Sequence, residues 1–138
     1  MNILFEAPAT AIGGRTGSVA TADGMLRIAL AEPGKGGAGR ASPEQLFASG
    51  FAACFLAAMR AAAGRLDLEL AHDANVTATV GVGQRPEGAG LEIVRVALSI
   101  DLPTLAPDEA EALVAEARRV CAFSQATRGN IQLDIDIS

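Results

Sequence analysis

The feature that most constrains this chain is one long apolar stretch with a clear helix start. Ser42 is a good N-cap, Pro43 suits the first helical position, and Gln45 completes a capping box with Ser42. The helix is predicted to run to about Arg60–Ala63, with Gly64 as its stop. Leu46, Phe47, Phe51, Ala52, Ala53, Cys54, Phe55 and Leu56 leave it apolar or small on nearly every face. Such a helix belongs at the centre of a fold, covered on all sides.

The elements around it read as strands and one further helix. Residues 2–12 and 17–31 are strand material, broken by Gly13-Gly14-Arg15-Thr16-Gly17 and by the turn pair Asp23-Gly24. Alternation over 75–83 (Val76, Ala78, Val80, Val82) and over 91–102 marks two strands joined through Pro86-Glu87-Gly88. The second strand carries Leu91, Ile93 and then Val94, Val96, Leu98, Ile100 and Leu102. Pro107 opens a second helix, with acids in its first turn and Arg118 and Arg119 in its last, matching the helix dipole. Cys121 falls just past its end, and Ile131, Leu133, Ile135 and Ile137 close the chain as a half-buried strand. The order predicts one α+β domain over residues 1–138, with helices packed on antiparallel sheet.

Charge and composition narrow the function. A formal charge of -5 disfavours nucleic acid, and the basic residues are not gathered into a patch. The N-terminus lacks the pattern of a signal peptide, and the nearly uncharged run from Gln45 to Met59 is short for a membrane span of about 20 residues. The expectation is a soluble cytoplasmic protein, in which two cysteines invite a redox or catalytic reading rather than a structural disulfide. Two Cys and one His cannot by themselves complete a four-ligand zinc site. The glycine-rich segment Pro33-Gly34-Lys35-Gly36-Gly37-Ala38-Gly39-Arg40 looks flexible, but its Lys35 is followed by glycine, which fails the phosphate-loop pattern. The single His72 lies in the polar stretch 71–75 and reads as a surface histidine; a Cys-His hydrolase would need it as base.

Cys54 and Cys121 are too far apart in sequence for a CxxC motif, and buried cysteines often only fill core. Arg15 in a glycine-flanked turn and Glu44 in a first helical turn are each ordinary on local grounds. Three segments change that reading: Gly13-Gly14-Arg15-Thr16-Gly17, the run Ser42-Pro43-Glu44-Gln45-Leu46-Phe47-Ala48-Ser49-Gly50-Phe51-Ala52-Ala53-Cys54-Phe55, and Val120-Cys121-Ala122-Phe123-Ser124-Gln125-Ala126-Thr127-Arg128-Gly129-Asn130-Ile131. In order and spacing they resemble the OsmC/Ohr family over essentially the whole chain. The Thr127-to-Ile131 ending resembles the organic hydroperoxide resistance branch.

The resemblance implies an OsmC-like fold, with antiparallel sheets around long central helices in an intertwined homodimer whose two sites lie at the subunit interface. It implies a peroxidatic Cys54, a resolving Cys121, a thiolate-stabilising Arg15 and a Glu44 that holds the arginine. It also implies organic hydroperoxides as substrates, fatty-acid hydroperoxides included, and a dihydrolipoyl group on a protein as reductant. No metal or bound organic cofactor is needed. The family's usual Cys-Pro-Tyr-Ser appears here as Cys121-Ala122-Phe123-Ser124, Gln125 stands where Asn often follows, and Phe51 stands where Tyr is common. Phe47, Phe51, Phe55 and Phe123 are core residues by default, and an apolar channel for an alkyl hydroperoxide is the alternative use of them. Glu44 and Cys54 would lie about 15 Å apart along one helix. Either Arg15 spans part of that gap or a second subunit supplies the Arg15–Glu44 pair. The competing readings are a non-catalytic redox sensor and an apolar-ligand-binding dimer.

Overall fold

The structure, a computed structural model, describes residues 1–35, 37–88 and 90–138. Gly36 of the glycine-rich segment and Ala89 of the connection after Gly88 lie outside the described residues. The chain forms two compact units, Met1–Leu46 and Phe47–Ser138.

The first unit holds a four-stranded sheet of β1 (Ala9–Ile12), β2 (Ser18–Thr21), β3 (Arg27–Leu30) and β4 (Arg40–Ala41), in that order. The strands are shorter than the sequence predicts, and residues 2–8 are not strand. β1 to β3 pair antiparallel, while β4 adds to β3 in parallel. The Asp23-Gly24 turn is as expected: Asp23 Oδ1 accepts from Thr21 Oγ1 at 2.6 Å and from the Met25 N–H at 3.0 Å.

The second unit holds β5 (Asn75–Gln84), β6 (Leu91–Asp101) and β7 (Gln132–Ile137), ordered β5-β6-β7. β5 and β6 are antiparallel, but β7 lies parallel to β6, with Arg95 opposite Gln132 and Ile100 opposite Ile137. Mixed sheets thus replace the antiparallel ones expected. The reason is connectivity: a helical crossover between β6 and β7 returns the chain in the same direction, which a tight turn cannot do. The register shifts between Gly81 and Val82, so Gly81 faces Arg95 and Val82 faces Ile93, leaving Val94 without a partner.

α1 (Pro43–Arg65) carries the capping box the sequence predicts: the Gln45 N–H donates to Ser42 Oγ at 3.2 Å and the Ser42 N–H to Gln45 Oε1 at 2.8 Å. Its end differs from expectation. Gly64 is helical, and Asp67 takes the left-handed conformation at φ 53, while the Leu68 N–H bonds back to the Ala63 carbonyl at 2.9 Å. That is a Schellman stop with aspartate in the usual place of glycine. By length and composition α1 is apolar enough to cross a membrane. In the fold, however, its Phe51, Phe55, Met59 and Ala62 are fully buried in one cluster with Val96, Leu98 and Ile100 of β6. α1 is not covered on every side in this chain, since Gln45, Ser49, Ala53, Ala57 and Ala61 form an exposed stripe.

α2 (Pro107–Val120) closes the cluster with Ala110, Leu113, Val114 and Ala117, spaced at i, i+3, i+4 and i+7. Burying each large side chain of this core contributes about 1.5–3 kcal/mol. A polar clasp ties α2 to α1: Glu116 accepts from Arg119 at 2.8 and 2.9 Å and from Arg65 at 3.3 Å. The hydrogen bond from Arg119 is the main reason its carboxyl is held down at about 2 instead of 4.5. A carboxyl depressed in the fold adds stability above its unfolded value and loses it as the pH falls through the folded one. We therefore expect Glu116→Gln to lower the melting temperature at neutral pH and to have only a small part of that effect left near pH 2. Equal differences at both pH values, followed by circular dichroism, would count against the clasp.

Candidate active site

The Gly13–Gly17 turn carries Arg15. Gly13 has φ 78, and a Cβ at Gly17 would sit inside the Ile12 carbonyl. Arg15 lies in the short 3-10 turn Gly14–Thr16. Its Nη2 reaches Glu44 Oε1 at 2.6 Å, with side chains 41% and 9% exposed respectively. The arginine hydrogen bond holds the Glu44 carboxyl below its ordinary value against the cost of burial, and Glu44 in turn raises Arg15. Glu44 Oε2 is buried without a hydrogen-bond partner among the described residues. Among the described residues Arg15 Nη2 is paired with one oxygen of the carboxylate, and the guanidinium fork has further donors to offer an acceptor.

Cys54 sits about three turns into α1 on a half-buried face, and Cys121 is 1% exposed. The structure brings them together: Cys121 Sγ–H donates to Cys54 Sγ at 3.5 Å, and both are free thiols. What places Cys121 there is a short helix that the sequence does not announce, α3 (Ala122–Thr127). Cys121 is at once the last cap of α2 and the first of α3, with φ -64 and ψ 123. Its carbonyl accepts the Gln125 N–H at 2.9 Å, and Thr127 Oγ1 closes the far end onto the Phe123 carbonyl at 2.9 Å. Six residues are too few for periodicity to register; the one signal available was a cysteine followed by Ser124 and Thr127 at capping distances.

The environment of Cys54 is divided. Burial pushes its thiol up, and Cys121 adds to that, while main-chain hydrogen bonding at Phe123 and at Ala122 pulls it down. The balance is a raised value, so this arrangement alone favours the thiol over the thiolate. The N–H of Ala122 is one that a proline at this position would lack. Cys121 already has the extended backbone that a following proline requires. Ala122→Pro is thus expected to fold and to slow alkylation of Cys54 by iodoacetamide at neutral pH about threefold, the worth of one modest hydrogen bond. The comparison is made in a Cys121→Ser background, and an unchanged rate would remove Ala122 from the account.

The four phenylalanines separate. Phe51 and Phe55 are fully buried core. Phe47 and Phe123 are half-buried and form a ring cluster with Phe51, at centroid distances of 6.0 Å (Phe47–Phe51), 6.1 Å (Phe47–Phe123) and an edge-on 5.7 Å (Phe51–Phe123). His72 is exposed and lines a cleft of about 690 Å³ with Arg60, Glu69 and Glu109, to which neither cysteine contributes. Among the described residues no group of three or more His, Cys, Asp or Glu is placed to hold a metal.

An α+β fold with two thiols in contact, one on a long helix and one at a helix junction, defines a dithiol protein. The chain belongs to the OsmC-like protein family, whose profile matches residues 34–136, and it falls among the relatives named organic hydroperoxide resistance proteins. It is 41% identical to the organic hydroperoxide resistance protein of Xanthomonas axonopodis pv. citri, over 99% of this chain and 96% of that one. It is similar to the crystal structure of an organic hydroperoxide resistance protein from Legionella pneumophila, with TM-score 0.90 and 41% identity over 99% of both chains. It also resembles the structure of OhrB of Bacillus subtilis, with TM-score 0.87 and 33% identity over 99% of this chain and 100% of that one.

Proposed function

We propose that this chain is a cysteine-based peroxidase that reduces organic hydroperoxides to alcohols. The observation that carries the reading is the 3.5 Å approach of Cys54 and Cys121 sulfurs. The names of the relatives supply the substrate class.

In the cycle, the Cys54 thiolate attacks the distal oxygen of the hydroperoxide. The O–O bond breaks, the alkoxide leaves and takes a proton to become alcohol, and Cys54 becomes a sulfenic acid. The Cys121 thiol displaces water from that sulfenic acid to give a disulfide. An external dithiol, a dihydrolipoyl group on a partner protein, then exchanges with the disulfide and is itself oxidised. No metal or bound cofactor enters any step.

An unperturbed thiol near pKa 8.5 is only about 3% ionised at pH 7, and burial makes the deficit worse for Cys54. A cation is needed to correct it, and the resemblance to the family gives that role to Arg15, whose charge is paired with Glu44. Full ionisation would gain only about 30-fold, roughly 2 kcal/mol. The larger part of the rate must come from orienting the peroxide and stabilising the departing alkoxide, a second use for Arg15. Phe47 and Phe123 supply apolar surface for an alkyl chain, which hydrogen peroxide cannot exploit.

A homodimer fits this reading: the exposed stripe of α1 and the exposed Ile12, Met25 and Leu26 of the first unit are surfaces that a second copy would cover. A fully active monomer by sedimentation would sink that part. The cytoplasm is the compartment in which such a pair is kept in its dithiol form between cycles.

The test is to mix the reduced protein with stoichiometric cumene hydroperoxide or hydrogen peroxide and count free thiols with time. Fast loss of both thiols with the organic peroxide, reversed by dihydrolipoamide, supports the cycle. Survival of both thiols ends the enzyme reading and leaves an apolar-ligand-binding dimer; a single stoichiometric oxidation without turnover identifies a sensor. A hydrolase using His72 is disfavoured by its separate cleft, and His72→Ala is expected to leave peroxide consumption unchanged.

A further inference from the structure

Glycine in a helix interior is destabilising relative to alanine, and α1 contains two. Gly64 is exposed, with nothing within 4 Å of the place a Cβ would occupy. Gly50 is different. A Cβ there would lie 3.2 Å from both Cε2 and Cζ of Phe123, closer than carbon atoms ordinarily pack. The edge of the Phe123 ring rests on bare helix backbone at that point.

The location matters because of what lies beside it. Gly50 is one turn before Cys54 on the same face of α1. Phe123 is two residues after Cys121, in the first turn of α3. The ring on the glycine and the sulfur on the sulfur are therefore neighbouring contacts between the same two segments, one at 3.2 Å to a notional Cβ and the other at 3.5 Å. Phe123 also packs against Phe47 and Phe51, which limits the directions in which it can yield.

We propose that Gly50 is a positioning residue for the Cys54–Cys121 couple: its missing side chain lets Phe123 seat on α1, and that seating sets the approach of the two sulfurs. The inference rests on the reading of the cysteines as an exchanging pair, but not on peroxide being the oxidant. A disulfide needs the sulfurs to close to about 2.05 Å with Cβ atoms about 3.5–4.5 Å apart. A methyl group at Gly50 lifts the ring, and with it the start of α3, by a few tenths of an ångström in the direction that opposes closure. The dithiol can relax by that shift, because its sulfurs are not bonded, whereas the disulfide must close the gap and bears more of the strain.

The test is the equilibrium of the protein with reduced and oxidised dithiothreitol, quenched in acid and read by mass. Oxidised dithiothreitol takes two electrons and two protons from Cys54 and Cys121, so the protein disulfide and reduced dithiothreitol form together. Gly50→Ala is expected to shift this equilibrium towards the dithiol about tenfold, because a disulfide held off its preferred geometry stores strain and is more readily reduced. Gly64→Ala makes the same gain in helix propensity and is expected to stay within about twofold of the wild type. Gly50→Ala combined with Phe123→Leu, which trims the ring atoms that meet the new methyl, is expected to recover most of the shift. Melting temperatures of all variants separate a redox effect from loss of fold. An unshifted Gly50→Ala, an equal shift in Gly64→Ala, or a double variant with no recovery would each overturn the proposal. If Gly50→Ala does not fold, Phe123→Leu alone leaves the seat empty and is expected to shift the equilibrium the same way; no shift overturns the proposal as well. A wild type that equilibrates as described yet consumes no peroxide would reject the peroxidase reading and leave this one standing.

Discussion

Cys54→Ser is expected to bring organic hydroperoxide consumption down to the uncatalysed rate, a loss of at least about a thousandfold. The substitution replaces a polarisable sulfur, which attacks a weak O–O bond as thiolate, by a hydroxyl that stays protonated at neutral pH. Cys121 cannot take over, because at 1% exposure it has no open approach for a substrate. The serine side chain is close to the same size, so the buried cluster around Phe51 and Phe55 should be kept. Consumption of cumene hydroperoxide with dihydrolipoamide as reductant reads the result directly. Turnover retained in this variant would move the nucleophile elsewhere and end the proposed cycle.

Cys121→Ser is expected to have an effect of a different kind. The first reduction should proceed at close to its normal rate, consuming about one equivalent of hydroperoxide per chain, and then stop. With no thiol 3.5 Å away, the Cys54 sulfenic acid cannot lose water to a disulfide. It persists long enough for dimedone to trap it, and further peroxide carries it to sulfinic acid. Rapid-quench thiol counts and intact mass separate these species. Steady turnover with the dihydrolipoyl dithiol would show that resolution comes from outside the chain and that the contact has another purpose.

How far the sequence carried this account differs from element to element. Ser42, Pro43 and Gln45 announced the start of α1, because a capping box is a local interaction with a local signature. Its end was misplaced at Gly64, because a Schellman stop can be built on aspartate, and a glycine inside a helix can answer to packing or simply be tolerated. The strand over 91–102 was legible from its apolar residues, but the register shift opposite Gly81 and Val82 came only with the structure. The parallel placement of β7 was not legible, since alternation reports which face a strand buries and not its direction. Of the site, Arg15, Glu44, Cys54 and Cys121 were named from resemblance, and the Arg15–Glu44 and Cys54–Cys121 contacts came only with coordinates. The turn of α3 was missed because six residues carry no period, and with it went the main-chain hydrogen bonding at Ala122 and Phe123 that moderates Cys54.

The irregularity at Val94 also divides the β5–β6 hairpin by cooperativity. On one side lie Val96, Leu98 and Ile100, buried and also paired to β7; on the other lie Leu91 and Glu92, exposed and paired only to β5. Opening the outer segment uncovers almost no apolar core, whereas opening the inner one dismantles the sheet on which α1 and α2 rest. The two halves of one continuous strand therefore belong to different unfolding units. Amide deuterium uptake should be fast over 82–84 and 91–93 and should fall sharply at Arg95, so that the outer strand ends can fray many times over while the thiol pair, packed with the core, stays in place.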